Sequence, residues 1–360
     1  MKNKFEHNSI LFIARMHNPP KTGGEAYHLA VIKALHAKGY DVIHTQPDNL
    51  TPWKVRGLRF NIYLSLMALR KKYGIIIINS DFSCRLLPFL AFSSFIMQIK
   101  IVSLVYHFYE VDKKFYGLIR YLFLWGEKCG LKLSDKLITI SAFTSGILQC
   151  KGIAKNKIQI IAPASGVPKQ PWKVKDKDGQ PITLLYVGYC TKRKGLEYLL
   201  DAMRKIRNID ITLDIVGDIN IEPNYVESLS NLIKTYQMQS KVFFHGLVSS
   251  ERLWKYYESA DIFVLPSILE GFGISLLEAA RFGLPIVSTK SGAIPELIRN
   301  RENGLLVPPE DPEALANAIL ELITNRELRG RIARKAWEES REDYSWETVG
   351  ESFMKALELN

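Results

Sequence analysis

The sequence predicts an α/β protein made of two doubly wound domains that face each other across a cleft. Three observations predict it. The chain has 360 residues, too many for one ordinary hydrophobic core and suited to two domains of typical size. Both halves alternate short apolar runs, mostly rich in β-branched residues, with longer helical patterns, the signature of a parallel sheet covered by helices on both faces. Between the halves the alternation stops: VPKQPWKVKDKDGQP, residues 167–181, holds three prolines and a run of charges with neither period, and reads as a linker. Hydrophobic residues at 47% and charged residues at 24% are globular values, which excludes disordered and collagen-like chains.

The elements follow in order. In the first domain, 1–166, strands are expected at Ile10–Ala14, Asp41–His44, Ile75–Asn79, Ile101–Tyr106, Lys136–Ile140 and Ile158–Ala162. Helices are expected at Gly24–Lys38, Asn61–Lys72 and Phe115–Leu131. The apolar run Ile10–Ala14 is too short for a secretion signal and reads as a first buried strand. In the second domain, 182–343, strands are expected at Thr183–Val187, Thr212–Val216, Val242–Phe244, Ile262–Pro266 and Pro285–Thr289. The helices between them are Leu196–Lys205, Tyr225–Tyr236, Glu251–Glu258 and Ser275–Phe282. No apolar run reaches the 18–20 residues or so that span a bilayer; the nearest, Leu86–Met97, is broken by Pro88 and two serines. Cys84, Cys129, Cys150 and Cys190 are scattered with no C-x-x-C pair, which fits reduced thiols in a cytoplasmic setting.

Charge divides the chain unevenly. Residues 1–180 hold 27 Lys+Arg against 11 Asp+Glu, a net of +16, and residues 181–360 hold 21 against 26, a net of −5. The halves therefore meet different partners: the basic half suits a phosphorylated acceptor, an anionic membrane surface or nucleic acid. Between Lys113 and Lys136, lysines interleave with Phe115, Tyr116, Tyr121, Phe123 and Trp125, a composition that suits a helix lying on anionic lipid. The plain alternative is an amphipathic helix packed on the first sheet.

The segment Ala260–Pro309 carries most of the chemistry. A buried strand runs into a loop containing Gly271 and Gly273, and a helix follows at once. Glycines let the backbone approach a ligand, and the amides at the helix start can hold an anion. Glu270 precedes the loop and Glu278 lies eight positions on. By spacing alone, Ser275-Leu-Leu-Glu278 fits a capping box, Glu270 is a solvated loop carboxylate, and Gly271-Phe-Gly273 is a weak signal.

Taken together, however, the segment resembles the nucleotide-binding half of retaining glycosyltransferases of the large family four (glycosyl transferases group 1). The signature is a pair of glutamates with seven residues between them, here Glu270-Gly-Phe-Gly-Ile-Ser-Leu-Leu-Glu278. The likeness continues through Gly283-Leu-Pro285, Ser291-Gly-Ala-Ile-Pro295-Glu296 and Asn303-Gly-Leu-Leu-Val307-Pro308. Upstream, Leu213-Asp-Ile-Val-Gly217-Asp218, Val242-Phe-Phe-His-Gly246 and Ala260-Asp261 stand in family order, and Tyr344-Ser-Trp346 resembles the entry to the family's last helix, 344–360, which crosses back to the first domain. The resemblance implies the GT-B architecture of two Rossmann-like domains.

It also implies roles. Glu278 would bind the ribose hydroxyls of the donor, Glu270 would sit near the transferred sugar, and the backbone of Gly271, Phe272, Gly273, Ile274 and Ser275 would bind sugar hydroxyls and phosphate. Backbone near Gly217 and from His245 to Leu247 would read the base. The leaving nucleoside diphosphate gathers negative charge, which the family answers with an Arg and a Lys after the domain's first strand, so that no metal and no cofactor is required. Here Tyr189 stands in the arginine's place and the lysine is Lys194, which would hold the diphosphate with Arg193 or Lys192 supplying missing charge. In the first domain, Gly23-Gly24 matches a glycine pair that approaches donor phosphate or acceptor, and His107 a histidine near the anomeric centre. Two departures accompany these: the acid near His107 is displaced to Glu110 and Asp112, and Ser165 replaces the usual Asn at the hinge.

The expectation is metal-independent retaining transfer of a hexose-type unit from a UDP- or GDP-type sugar to a lipid-linked or polysaccharide acceptor. The setting would be cytoplasmic, on the inner face of the membrane, with no nucleic acid involved. Two other classes compete. A dinucleotide-dependent oxidoreductase would use Gly271-x-Gly273, but Leu276 stands where its third glycine belongs. A non-catalytic nucleotide- or membrane-binding relative is motivated by Tyr189. Asp176-Lys-Asp178 resembles a metal-binding D-x-D but lies in the lysine-rich linker instead of at a strand end.

Overall fold

The computed structural model describes residues 9–17, 22–46, 55–71, 73–106, 117–172, 181–340 and 345–359. They divide into two compact units, Met1–Ala164 with Ser345–Asn360, and Ser165–Tyr344.

The first unit runs β1 (Ser9–Ile13), α1 (Gly23–Ala37), β2 (Asp41–Thr45), α2 (Val55–Lys71), β3 (Ile75–Asn79), α3 (Leu87–Phe95), β4 (Lys100–Val105), α4 (Gly117–Leu133), β5 (Lys136–Thr139), α5 (Ala142–Cys150) and β6 (Ile158–Ile160). Its strands form one parallel sheet in the order β2-β1-β3-β4-β5-β6. Successive strand residues point to opposite faces, so the apolar runs feed two cores. Phe12, Ile77 and Leu104 pack with Val31 of α1 on one face; Leu11, Ile76 and Ile78 pack with Leu64 of α2 and Phe89 of α3 on the other. The helix α3 falls in the broken apolar run Leu86–Met97: Pro88 sits in its first turn, where no amide is lost to the helix ladder.

The second unit continues with β7 (Ile182–Val187), α6 (Leu196–Lys205), β8 (Ile211–Val216), α7 (Pro223–Thr235), β9 (Val242–Gly246), α8 (Ser250–Ser259), β10 (Ile262–Leu265), α9 (Ile274–Arg281), β11 (Ile286–Thr289), α10 (Ile294–Leu297), β12 (Leu305–Val307), α11 (Pro312–Thr324) and α12 (Arg326–Glu339). Its parallel sheet is ordered β12-β11-β10-β7-β8-β9. Helix starts are set locally: Ser249 caps α8 and Asp311 caps α11, with Pro312 at the first helical position.

The unit boundary falls before the expected linker. Val167 is buried in the second core, the Gln170 amide donates to Arg281 O at 3.2 Å, and Trp337 Nε1 donates to Gln170 O at 2.7 Å. Trp172 packs on Trp337 with ring centroids 5.8 Å apart, so these residues belong to the second unit because apolar groups in them find cover there. Asp176 and Asp178 lie outside the described residues. The chain ends in α13 (Trp346–Leu357), packed on α1 through Val349, Phe353 and Leu357.

Candidate functional site

The site grows from the carboxyl ends of β7 and β10, which are neighbours at the centre of the second sheet. After β10 the chain makes no regular structure from Pro266 to Gly273, yet its carbonyls are held one by one. Ser288 Oγ donates to Leu265 O at 2.7 Å, Thr289 Oγ1 to Ser267 O at 2.6 Å, and Ser291 Oγ to Ile268 O. From the other side the Ile268 amide donates to Arg193 O at 2.8 Å and Arg193 Nη1 to Leu269 O at 2.6 Å. Ala293 N donates to Glu270 O at 2.9 Å. A loop so tied presents its last residues in one geometry.

Glu270 and Lys194 meet there. Lys194 Nζ lies 2.5 Å from Glu270 Oε2, Ser267 Oγ donates to the same oxygen at 3.3 Å, and both long side chains are about nine-tenths buried. Burial pushes the Glu270 carboxyl up, but the Lys194 ammonium and the Arg193 guanidinium outweigh it and hold the group below the usual carboxylate range. Lys194 is placed by a short 3-10 turn, Lys192–Lys194, closed by Gly195 at φ +67°, where a Cβ would stand 2.3 Å from Pro266 O. Lys194 keeps two further N–H donors beyond the Glu270 bond. Lys192 and Arg193 are exposed, and the Lys192 amide donates to Glu222 Oε2 at 3.0 Å.

The helix α9 begins at Ile274, with Gly273 before it at φ +96°. The capping box that spacing alone would allow for Ser275 and Glu278 is therefore not formed: Ser275 is already inside the helix, and Glu278 turns elsewhere. Tyr257 Oη of α8 donates to Glu278 Oε2 at 2.8 Å. Burial raises the Glu278 carboxyl to about 7, against the opposing pull of the Tyr257 bond and the Arg281 charge. The head of α9, from Gly271 through Phe272 and Gly273 to Ile274 and Ser275, thus lies between a carboxylate paired with a cation and one held near neutrality.

Gly217 and Leu247 follow β8 and β9 on the same carboxyl edge of the sheet. At Gly217, φ +150° and a Cβ position 1.9 Å from Gly188 O leave room for glycine only. Leu247 is 53% exposed, and beside it His245 Nε2 pairs with Asp214 Oδ1 at 2.6 Å and packs against Tyr256. Gly23 and Gly24 open α1 in the first unit behind Thr22, whose Oγ1 accepts from the Glu25 amide at 3.0 Å. A Cβ on Gly24 would meet Tyr106 at an ordinary 3.6 Å. His107 lies outside the described residues.

Residues 169–339 match the family model Glycosyl transferases group 1. The match covers most of the second unit and just under half of the chain. Among its relatives, an uncharacterized glycosyltransferase of Haemophilus influenzae is 28% identical over 93% of this chain and 96% of its own length. An uncharacterized glycosyltransferase of Methanocaldococcus jannaschii is 34% identical over 49% of this chain and 44% of its own. The amylovoran biosynthesis glycosyltransferase AmsK of Erwinia amylovora is 30% identical over 52% and 47%. The matched stretch thus spans about half the length of the last two. The fold is shared with HepE of Anabaena, solved in complex with UDP and glucose, at a TM-score of 0.75 and 18% identity over 98% of this chain and all of that one.

Sequence reasoning names Lys194, Arg193, Glu270, Gly271–Ser275 and Glu278; the structure brings them to one sheet edge and adds residues that reasoning missed. Tyr257, Ser267 and the hydroxyls of Ser288, Thr289 and Ser291 hold the glutamates and their loop. Apart from Ser267, three positions before Glu270, these side chains act across 21 to 23 positions, where no local pattern reports the contact. Tyr189, standing for the family arginine, is partly buried and its carbonyl accepts from Tyr186 Oη at 2.7 Å. Cationic charge beside Glu270 comes from Lys194 and Arg193.

Proposed function

We propose that this chain is a metal-independent retaining glycosyltransferase of the glycosyl transferases group 1 type. It moves a hexose-type unit from a UDP- or GDP-type sugar to a lipid-linked or polysaccharide acceptor in cell-surface glycan synthesis. The observation that carries the reading is the buried Lys194–Glu270 pair at the head of α9, with Glu278 eight positions on. Lys194 holds the donor diphosphate, Arg193 adds charge, and the amides at the head of α9 bind phosphate and sugar hydroxyls. Glu278 accepts the ribose hydroxyls, and Glu270 stands beside the sugar. The bond from the anomeric carbon to the diphosphate breaks, and the acceptor oxygen bonds to that carbon on the same face. The acceptor's proton passes to the departing diphosphate, so charge and atoms balance without a side-chain nucleophile. Gly217 and Leu247 flank the base, and Gly23, Gly24 and His107 serve from the first unit.

The UDP complex of HepE supports a uridine donor, and the part of AmsK in amylovoran biosynthesis supports a glycan acceptor. The protein would work in the cytoplasm at the inner face of the membrane; none of the described helices is long and apolar enough to cross one. Calorimetric titration of UDP, GDP, ADP and NAD into the wild type and Glu278→Ala tests the reading. One nucleoside diphosphate should bind, and the variant should lose at least tenfold in affinity. Preferential binding of NAD would favour an oxidoreductase, and no binding at all a relative that has lost the donor site at Tyr189.

A further inference from the structure

In the first unit, α3 lies between α2 and α4, and the three helices form a layer that leaves an unusual surface. α2 buries Leu64 and Ala68 in the core but exposes Ile62, Tyr63, Leu66 and Leu69 on its other side, each at least half exposed. Large apolar side chains on the side of a helix away from its core are ordinarily covered. Next to it, Phe95 and Ile96 at the end of α3 are about 70% exposed, and Tyr121 and Trp125 of α4 stand out likewise. Among the described residues, eight of the twelve large exposed hydrophobic side chains lie on this layer, so the patch is concentrated there. Contiguous apolar surface of this kind marks an interaction site.

The charges say with what. The exposed charged side chains described on these helices are Arg59, Arg70, Lys128 and Lys132; the acid of α4, Glu127, is buried. The sequence from Asn49 to Ser80 holds six Lys+Arg and no Asp or Glu. A second copy docked through the same face would set these cations against their own kind. Apolar and aromatic side chains rimmed by cations match the boundary between lipid tails and anionic headgroups. We propose that α2, α3 and α4 together form a docking face for an anionic lipid bilayer, with the α2 stripe and the end of α3 entering the acyl boundary and the arginines and lysines meeting the headgroups. This deepens the reading of a lipid-linked acceptor and rests on it only for its purpose, since the docking needs neither donor nor acceptor.

Co-sedimentation of the full chain with vesicles tests it, using phosphatidylcholine alone and phosphatidylcholine mixed with phosphatidylglycerol. The wild type should bind the mixed vesicles and not the neutral ones, and binding should weaken as salt rises. Leu66→Glu/Leu69→Glu and Arg59→Glu/Arg70→Glu should each lose at least tenfold. All four positions are exposed, and an unchanged thermal unfolding profile by circular dichroism checks that the first unit of each variant is folded. Absence of wild-type binding to the mixed vesicles, or equal binding by Leu66→Glu/Leu69→Glu, overturns the proposal. So does a wild-type dimer in vesicle-free solution that this variant dissolves, which would assign the face to a second copy.

Discussion

Glu278 holds its proton to about pH 7 because its carboxyl is tucked under α8 with one phenol for company. From about pH 5 to 7 the folded chain keeps a proton that the unfolded chain has released, so this group's contribution to stability falls as pH rises through that window. Glu278→Gln, which keeps an acceptor for Tyr257, should be about 1–3 kcal/mol more stable than wild type at pH 8 and no more stable at pH 5, with donor binding lost. Urea unfolding at the two pH values reads the first part and calorimetry the second. Lys194 and Glu270 make the opposite case, since a buried pair broken at one end leaves an uncompensated charge. Lys194→Met should cost about 3–5 kcal/mol, and Lys194→Met/Glu270→Gln should recover most of that while remaining inactive. Full recovery of transfer in the double variant would refute the catalytic assignment of both side chains.

The elements around the site depend on close backbone approaches. Gly292, after β11, sits at φ +57° with its Cβ position 2.0 Å from Glu270 O. Gly292→Ala should therefore displace the Glu270 loop as well as strain its own backbone, at about 2–4 kcal/mol, with turnover falling at temperatures where the protein is still folded. Gly39, at the end of α1, has φ +82° and open space around it, so Gly39→Ala should show the backbone cost alone, about 1 kcal/mol, and normal turnover. Denaturation and activity measured on the pair separate the two effects. The start of α9 follows the same logic: with Gly273 in the left-handed region the helix opens one residue before Ser275, which removes the capping box that the spacing suggests.

At the scale of the whole chain, the first unit is completed by residues from both ends of the sequence. Phe353 of α13 is fully buried against α1, where Gly350 lets the helices approach: its Cβ position is 2.6 Å from Ala34 Cβ. Phe353→Ala should destabilise the first unit by about 3–5 kcal/mol. UDP binding by the second unit should be unchanged below the melting transition, as calorimetry at low temperature would show. Charge follows the same division. Residues 1–164 and 345–360 carry 24 Lys+Arg against 12 Asp+Glu, while residues 165–344 carry 24 against 25, so the basic surplus belongs to the unit bearing the proposed docking face.

The sequence by itself determined the two parallel sheets, because uninterrupted runs such as Ile75–Asn79 can only be satisfied by burial on both faces. It also determined the head of α9, where Glu270, the glycines and Glu278 are neighbours along the chain and local order is enough to find them. The short α10 and β12, and α5 between β5 and β6, were not legible, since small polar residues and runs of three or four carry no clear period. Only the tertiary structure decided what each site residue touches. That Lys194 pairs with Glu270 rather than facing solvent, that Tyr257 claims Glu278, and that Val167 to Trp172 join the second core are contacts across 21 to 167 positions. Periodicity reports which face of an element is apolar; it cannot report which distant residue will cover that face or share its charge.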